Sequence, residues 1–160
     1  WVNLTTGAWV HYNNDSQYEN PYGKLYNWYT VNDPRNVCPT GWHVPTDAEW
    51  TVLSDYLGGS AFNNLSYSAV AGGKMKSTGT QYWSSPNTDA TNESGFSGLP
   101  GGYRRPNGSF SDVGYGGYWW SSTEFNTDYA WYRSLYYVNG DVDRGLSDKE
   151  IGFSVRCLRD

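Results

Sequence analysis

Thr46-Asp47-Ala48-Glu49-Trp50-Thr51-Val52-Leu53-Ser54-Asp55-Tyr56-Leu57 is the stretch with the clearest helical period in this chain. Trp50, Leu53 and Leu57 recur at spacings of three and four, with Val52 and Tyr56 beside them, which lays one apolar stripe along a helix. Thr46 and Glu49 have the spacing of a capping box, in which the hydroxyl and the carboxylate each bond the other residue's backbone N–H. Asp47 sits in the first turn, where the helix dipole favours negative charge. Pro45 keeps the entering chain extended, and Gly58-Gly59 reads as a left-handed stop. The pattern predicts a helix over 46–57.

Outward from that helix the period changes. Lys24–Val31, Tyr129–Tyr137 and Gly152–Leu158 read as strands. In the last of these, Phe153, Val155 and Cys157 alternate with Ser154 and Arg156, the pattern of a half-buried strand. Pro106-Asn107-Gly108 and Asn139-Gly140-Asp141 are turn signals. The stretch from about Gly58 to Tyr118 is rich in Gly and Ser and reads as a long loop region. A loop of that length in a compact domain is functional or packed on its own aromatics. No linker and no repeat interrupts the 160 residues, so 1–160 reads as a single α+β domain.

Composition narrows the function. The chain is polar without being highly charged: 17% of residues are charged, and the formal net charge is −5. Asn, Ser, Thr and Gly supply the polarity. The apolar mass is aromatic, with 9 Trp, 15 Tyr and 5 Phe, which argues against disorder. An acidic chain lacks the clustered Lys and Arg that nucleic acid demands, and no apolar run approaches a membrane span. The first residue is Trp1 rather than Met, so the chain reads as a mature or trimmed piece whose leader has been cut away.

Two cysteines, Cys38 and Cys157, lie 119 positions apart. They admit one bridge or two buried thiols. The Asn/Ser/Thr/Tyr-rich composition favours the bridge and an oxidising compartment. Two Cys and two distant His do not make a zinc set. His43, within Gly41-Trp42-His43-Val44-Pro45, has no Ser, Cys or Asp at a spacing that marks a catalytic partner. It is expected to pack between Trp42 and the helix start. His11 is equally silent about chemistry. Gly98-Leu99-Pro100-Gly101-Gly102-Tyr103-Arg104 lacks the ending of a phosphate loop, and its glycines read as tight turns. Trp119-Trp120 point to opposite faces of a strand, which allows one to be core and the other to lie near the surface.

Six blocks, in order, carry a resemblance. They are Tyr22–Trp28, Cys38–Trp50, Ala71–Lys76, Asn92–Arg104, Tyr118–Glu124 and Ile151–Cys157. Together they resemble the Fibrobacter succinogenes major paralogous domain, found in surface and secreted proteins of Bacteroidota and Fibrobacterota. That family is similar to the wider group with the C-type lectin fold, which includes formylglycine-generating enzymes and retroelement-diversified variable proteins. The resemblance implies a small twisted antiparallel sheet, paired N- and C-terminal strands and a long irregular insertion. It implies that Cys38 and Cys157 close a structural bridge rather than match the copper-binding cysteine pair of the enzymes. The lectin-type calcium triplets are absent. Asp89-Ala90-Thr91-Asn92-Glu93 offers oxygen ligands, but its spacing fails the calcium-loop pattern and it reads as a locally bonded loop. No metal, no cofactor and no catalytic residue is expected.

The functional expectation is a non-catalytic module, extracellular or on the cell surface as a lipoprotein or part of a larger secreted protein. Its partner would be a protein or a glycan, with no nucleic acid and no membrane insertion. The alternative is a structural or assembly domain of a larger surface protein, for which the resemblance also admits a retroelement-diversified receptor. The C-terminal half is rich in Tyr, Trp, Arg and Asn, the residues of recognition surfaces. Tyr103, Arg105, Phe125, Tyr129, Trp131, Arg133, Tyr137 and Arg144 are the candidate ligand-binding residues. Alternation along 129–137 puts Tyr129, Trp131, Arg133, Leu135 and Tyr137 on the face expected to bind. Ala130, Tyr132, Ser134 and Tyr136 fall on the covered one. The wish of Leu135 for burial speaks for the reverse.

Overall fold

The computed structural model describes residues 1–58 and 67–160. A short ladder of β1 (Trp9–Val10) and β2 (Leu25–Tyr26) brackets a helical turn, α1 (Glu19–Tyr22). Then come α2 (Trp28–Val31), β3 (Trp42–His43) and the main helix α3 (Asp47–Gly58). After β4 (Tyr67–Ser68) and α4 (Ala71–Met75), a hairpin joins β5 (Gly101–Arg104) to β6 (Phe110–Val113). The largest sheet is built from β7 (Gly116–Glu124), β8 (Tyr129–Tyr136) and β9 (Val142–Asp148), with β4 on its edge. Its order is β4-β9-β8-β7, antiparallel throughout. The chain closes with β10 (Leu158–Arg159) against β3. The molecule is thus α+β, with several small antiparallel sheets.

The capping box forms as the sequence predicts. Thr46 N and Oγ1 donate to Glu49 Oε2 at 2.8 and 2.9 Å, and Glu49 N donates to Thr46 Oγ1 at 3.2 Å. Trp50 and Leu57 are buried, whereas Val52 and Tyr56 face outward. The second half of the predicted stop, Gly59, lies outside the described residues. Thr46→Ala removes the cap acceptor and is expected to cost about 1 kcal/mol, read as a lower denaturant midpoint at unchanged slope. No change would show that the box contributes nothing. His43 takes a structural place here: its ring nitrogens lie 2.6 Å from Asp160 Oδ1 and 3.0 Å from Glu49 Oε1. The Asp160 contact, then the Glu49 contact, raise its pKa.

Aromatics fill both faces of the large sheet. Trp119, Leu135 and Val142 meet Trp50, Leu57, Met75, Trp83 and Phe96 beneath α3 and α4. On the opposite face Tyr118, Trp120 and Ala130 meet Trp28 and Phe153. Trp119 and Trp120 do point to opposite faces, yet both are buried, because each face has its own cover. Buried indoles keep their N–H groups bonded. Trp28 Nε1 donates to Ser121 O, Trp83 Nε1 to Gly98 O and Trp120 Nε1 to Tyr26 O, at 2.9, 3.0 and 2.8 Å.

Two predicted strands are shorter than expected. Within 24–31 only β2 is extended. Asn27, fully buried, accepts from Thr30 N and Thr30 Oγ1 and so caps α2, turning Trp28–Val31 helical. The segment 152–158 is not one strand but a crossing. Gly152 bridges Arg104, Phe153 bridges Tyr26, Ser154 bridges Trp119, and β10 follows. The Tyr26–Phe153 bridge and the β3–β10 ladder bring the N- and C-terminal parts together. The loop-rich middle contains α4, β5 and β6, with the predicted turn at 106–108 joining the last two. Likewise Asn139–Asp141 lies in the connection between β8 and β9.

A buried ammonium and one glycine lock that middle onto the sheet. Lys76 is fully buried, and its Nζ donates to the carbonyls of Thr88, Tyr136 and Asn139 at 2.7, 2.9 and 2.7 Å. Burial pushes its pKa down to about 8, while Asp89 and Asp141 pull the other way. Gly72 lets α4 touch β9's approach: a Cβ there would stand 1.7 Å from Asp141 O. Cys38 and Cys157 are bonded to each other, with Cα atoms 5.8 Å apart. Among the described residues no helix is long and apolar enough to cross a membrane.

Candidate functional site

The β7–β8 hairpin carries an aromatic group at its exposed tip. Its turn is held by Asn126, whose Oδ1 accepts from Asp128 N and Tyr129 N, both at 2.9 Å. Phe125 N and Asn126 N donate to Tyr129 O. This fixes Phe125 and Tyr129, 53% and 41% exposed, at the tip. Phe125 packs edge-on against Trp131, ring centroids 5.5 Å apart. Arg144 lies over the Trp131 indole with Cζ 3.4 Å from the ring centroid. Leu146, directly opposite Trp131 in the ladder, is partly exposed beside it.

What orients Arg144 is a carboxylate from another element. Asp47, the first residue of α3, accepts from Arg144 Nε and Nη2 at 2.9 and 2.7 Å. The same carboxylate accepts from Arg133 Nη1 at 2.7 Å. Arg133 Nη2 also reaches Asp47 O and Thr51 Oγ1. Arg133 and Arg144 are direct cross-strand neighbours, which alone would repel; Asp47 between them removes the conflict. Burial would raise the Asp47 pKa, but the Arg144 and Arg133 bonds outweigh it and hold the carboxyl below its usual range. Asp47 is legible in the sequence as a dipole partner for α3, and nothing in the sequence marks it as the joint between helix and sheet.

The predicted binding residues therefore separate. Phe125, Tyr129, Trp131 and Arg144 come together. Arg133 does not join them as a surface group: it is fully buried beneath α3, and the face assigned to ligand is, at Arg133 and Leu135, the helix-covered face. Trp131 stays partly exposed one step nearer the strand end. Tyr137 lies beyond the far end of β8, against Tyr115 at 5.2 Å and the first core cluster. Tyr103 and Arg105 pair with each other, Arg105 Nη2 donating to Tyr103 OH at 2.8 Å, and Tyr103 packs on Tyr118 on the opposite sheet face.

That opposite face holds groups the sequence did not single out. The Tyr118 hydroxyl donates to Asp112 Oδ2 at 2.5 Å and lies 3.0 Å from the Tyr136 hydroxyl. Burial, then the Asp112 bond, raises the Tyr118 pKa. Tyr132 and Tyr136, expected to be covered, are only partly so. Gly145 leaves room for the Tyr132 ring, whose atoms would lie 2.8 Å from a Cβ at that position. At 89–93, Asn92 Nδ2 donates to Ser97 Oγ and Asn92 Oδ1 accepts from Ser97 N, and Glu93 lies 3.6 Å from Lys74. No group of three or more His, Cys, Asp or Glu among the described residues is arranged to hold a metal ion.

The family model described as the Fibrobacter succinogenes major domain matches residues 2–159. The chain belongs to that family. No curated protein and no solved structure is a match. The description of this family names neither ligand nor reaction, so a functional reading of the Fibrobacter succinogenes major domain in this chain rests on its own residues.

Proposed function

We propose that this domain is a non-catalytic binding module with a C-type lectin-like fold, borne on a bacterial surface or secreted protein. It recognises a protein or a glycan through Phe125, Tyr129, Trp131 and Arg144. The observation that carries this reading is the partly exposed Phe125–Trp131–Arg144 stack, held in place by Asp47 before any ligand arrives. Rigid aromatic area with an oriented guanidinium makes contacts at low entropic cost. The 119-residue disulfide supports export, since such bonds persist in oxidising compartments. The N- to C-terminal pairing and the irregular insertion support the lectin-like comparison.

The test is a screen of the intact domain against a glycan array and a set of purified surface proteins, followed by Phe125→Ala and Trp131→Ala. Either change is expected to weaken the ligand by about 1–3 kcal/mol, the range of interface hot spots, with the melting temperature shifted by only a few degrees. A ligand that ignores both substitutions would remove this patch from the reading. No ligand in either screen would favour a spacer or assembly domain.

A further inference from the structure

A cavity of about 510 Å³ opens between the β1–β2 ladder and the loop after α2, far along the chain from the hairpin patch. Trp9, Lys24, Tyr26, Asp33, Arg35 and Asn36 line it. Trp9 and Tyr26 are direct partners in the antiparallel ladder, so their rings leave it on the same side. Trp9 is 53% exposed, unusual for the largest apolar side chain in a domain that buries so many of its other aromatics. Lys24 Nζ stands 4.4 Å from the Trp9 ring centroid and 3.1 Å from Glu19, so it is already engaged.

The opposite wall is polar and rigid. Arg35 grips Asp33 through Nε and Nη2 at 2.9 and 2.6 Å, and Asp33 also accepts from Arg35 N. The Arg35 bond holds the Asp33 carboxyl down at about 2, so the pair stays ionised. Arg35 Nη1 has no partner among the described residues, and its side chain is 85% exposed. Asn36 is fixed by bonds to Trp42 O and from Cys38 N, next to the disulfide. The groove is thus lined by the Trp9 and Tyr26 rings, with Lys24 over one part of the indole, and by the Asp33–Arg35 pair, whose Nη1 donors are left over after the pair has formed.

We infer that this groove is a second binding site and that its ligand is a pyranose unit of a saccharide. A pyranose has an apolar C–H face for the Trp9 and Tyr26 rings. Its hydroxyls both donate and accept, which matches Asp33 beside Arg35. The volume suits one or two sugar rings. This site shares no residue with the Phe125–Trp131 patch, so either can fail while the other stands.

The experiment is NMR titration of the intact domain with methyl β-glucopyranoside, methyl β-galactopyranoside, methyl α-mannopyranoside and methyl glucuronopyranoside at millimolar concentrations. The expected result is a saturable shift of the Trp9 indole N–H and the Arg35 Nε–H signals with at least one of them. Trp9→Ala is expected to abolish the response. Arg35→Ala, at a side chain open to solvent, is expected to weaken it severalfold with an unchanged melting temperature. Trp131→Ala is expected to leave it intact. Silence with all four sugars overturns the proposal, as does a response that survives Trp9→Ala or vanishes with Trp131→Ala.

Discussion

Replacing Asp47 with alanine is expected to destabilise the protein by about 3–5 kcal/mol, the usual penalty when one partner of a buried ion pair is removed. Arg133 is fully buried, and its guanidinium reaches Asp47 through both the side chain and the main chain. Without the carboxylate a buried cation is left facing a second cation, Arg144, across the ladder. Equilibrium denaturation of the wild type and Asp47→Ala measures the loss; a cost below about 1 kcal/mol would show that the pair is solvated and that this account is mistaken. Asp47→Leu combined with Arg133→Met is expected to be milder than Asp47→Ala, because the fully buried cation is removed together with its carboxylate and only the half-buried Arg144 loses a partner.

The pH dependence follows from the same site. The folded-state pKa of Asp47 is lowered, so its contribution is present above the unfolded carboxyl value of about 3.9 and is lost as pH falls through the lower folded value. Acid titration of stability should therefore be shallower in Asp47→Ala than in the wild type. Freed from Asp47, Arg144 also loses the contact that orients it over Trp131, so the variant is expected to weaken any ligand of the hairpin patch even where it remains folded.

Removing the disulfide is the second large change. Cys38→Ala with Cys157→Ala opens a closed segment with a sequence separation of 119, for which loop-closure entropy gives about 4–5 kcal/mol. The bridge joins the chain ahead of β3 to the chain ahead of β10, and those two strands share only a two-residue ladder. A ladder that short is marginal alone. The double variant, and the wild type under a thiol reductant, should both show the lower denaturant midpoint. Intact mass after alkylation in denaturant without reductant should show no free thiol. Two alkylated cysteines, or a stability change under about 1 kcal/mol, would contradict it.

Much of the site was out of reach of the sequence for a specific reason. The alternation along 129–137 correctly separates two sets of side chains, but a period of two is blind to which set is covered. Each set is covered in part: α3 and α4 lie over Arg133 and Leu135 while Tyr129 stays exposed, and Trp28 and Phe153 lie over the other side, where Tyr132 and Tyr136 are half-buried. The same blindness allowed one of Trp119 and Trp120 to lie near the surface, whereas both are buried. Arg133 belongs with the recognition residues by composition, and only the arrival of Asp47 from a position 86 residues away makes it a core cation.

The sequence by itself determined what is local or carried by long ordered motifs: the Thr46–Glu49 cap, the α3 stripe, the turns at 106–108 and 139–141, and the family. Each depends on neighbours a few positions apart or on blocks read in order. Tertiary structure alone decided the rest. Asn27, bonded to Thr6 and Ala8, turned an apparent strand into α2, and the tail from Gly152 to Arg159 was divided among Arg104, Tyr26, Trp119 and β3. Asp47 collected two arginines, and Trp9 met Tyr26 across a ladder. These outcomes depend on partners distant in the chain, and the free energy of burying or pairing a side chain is set by what lies against it rather than by what precedes it.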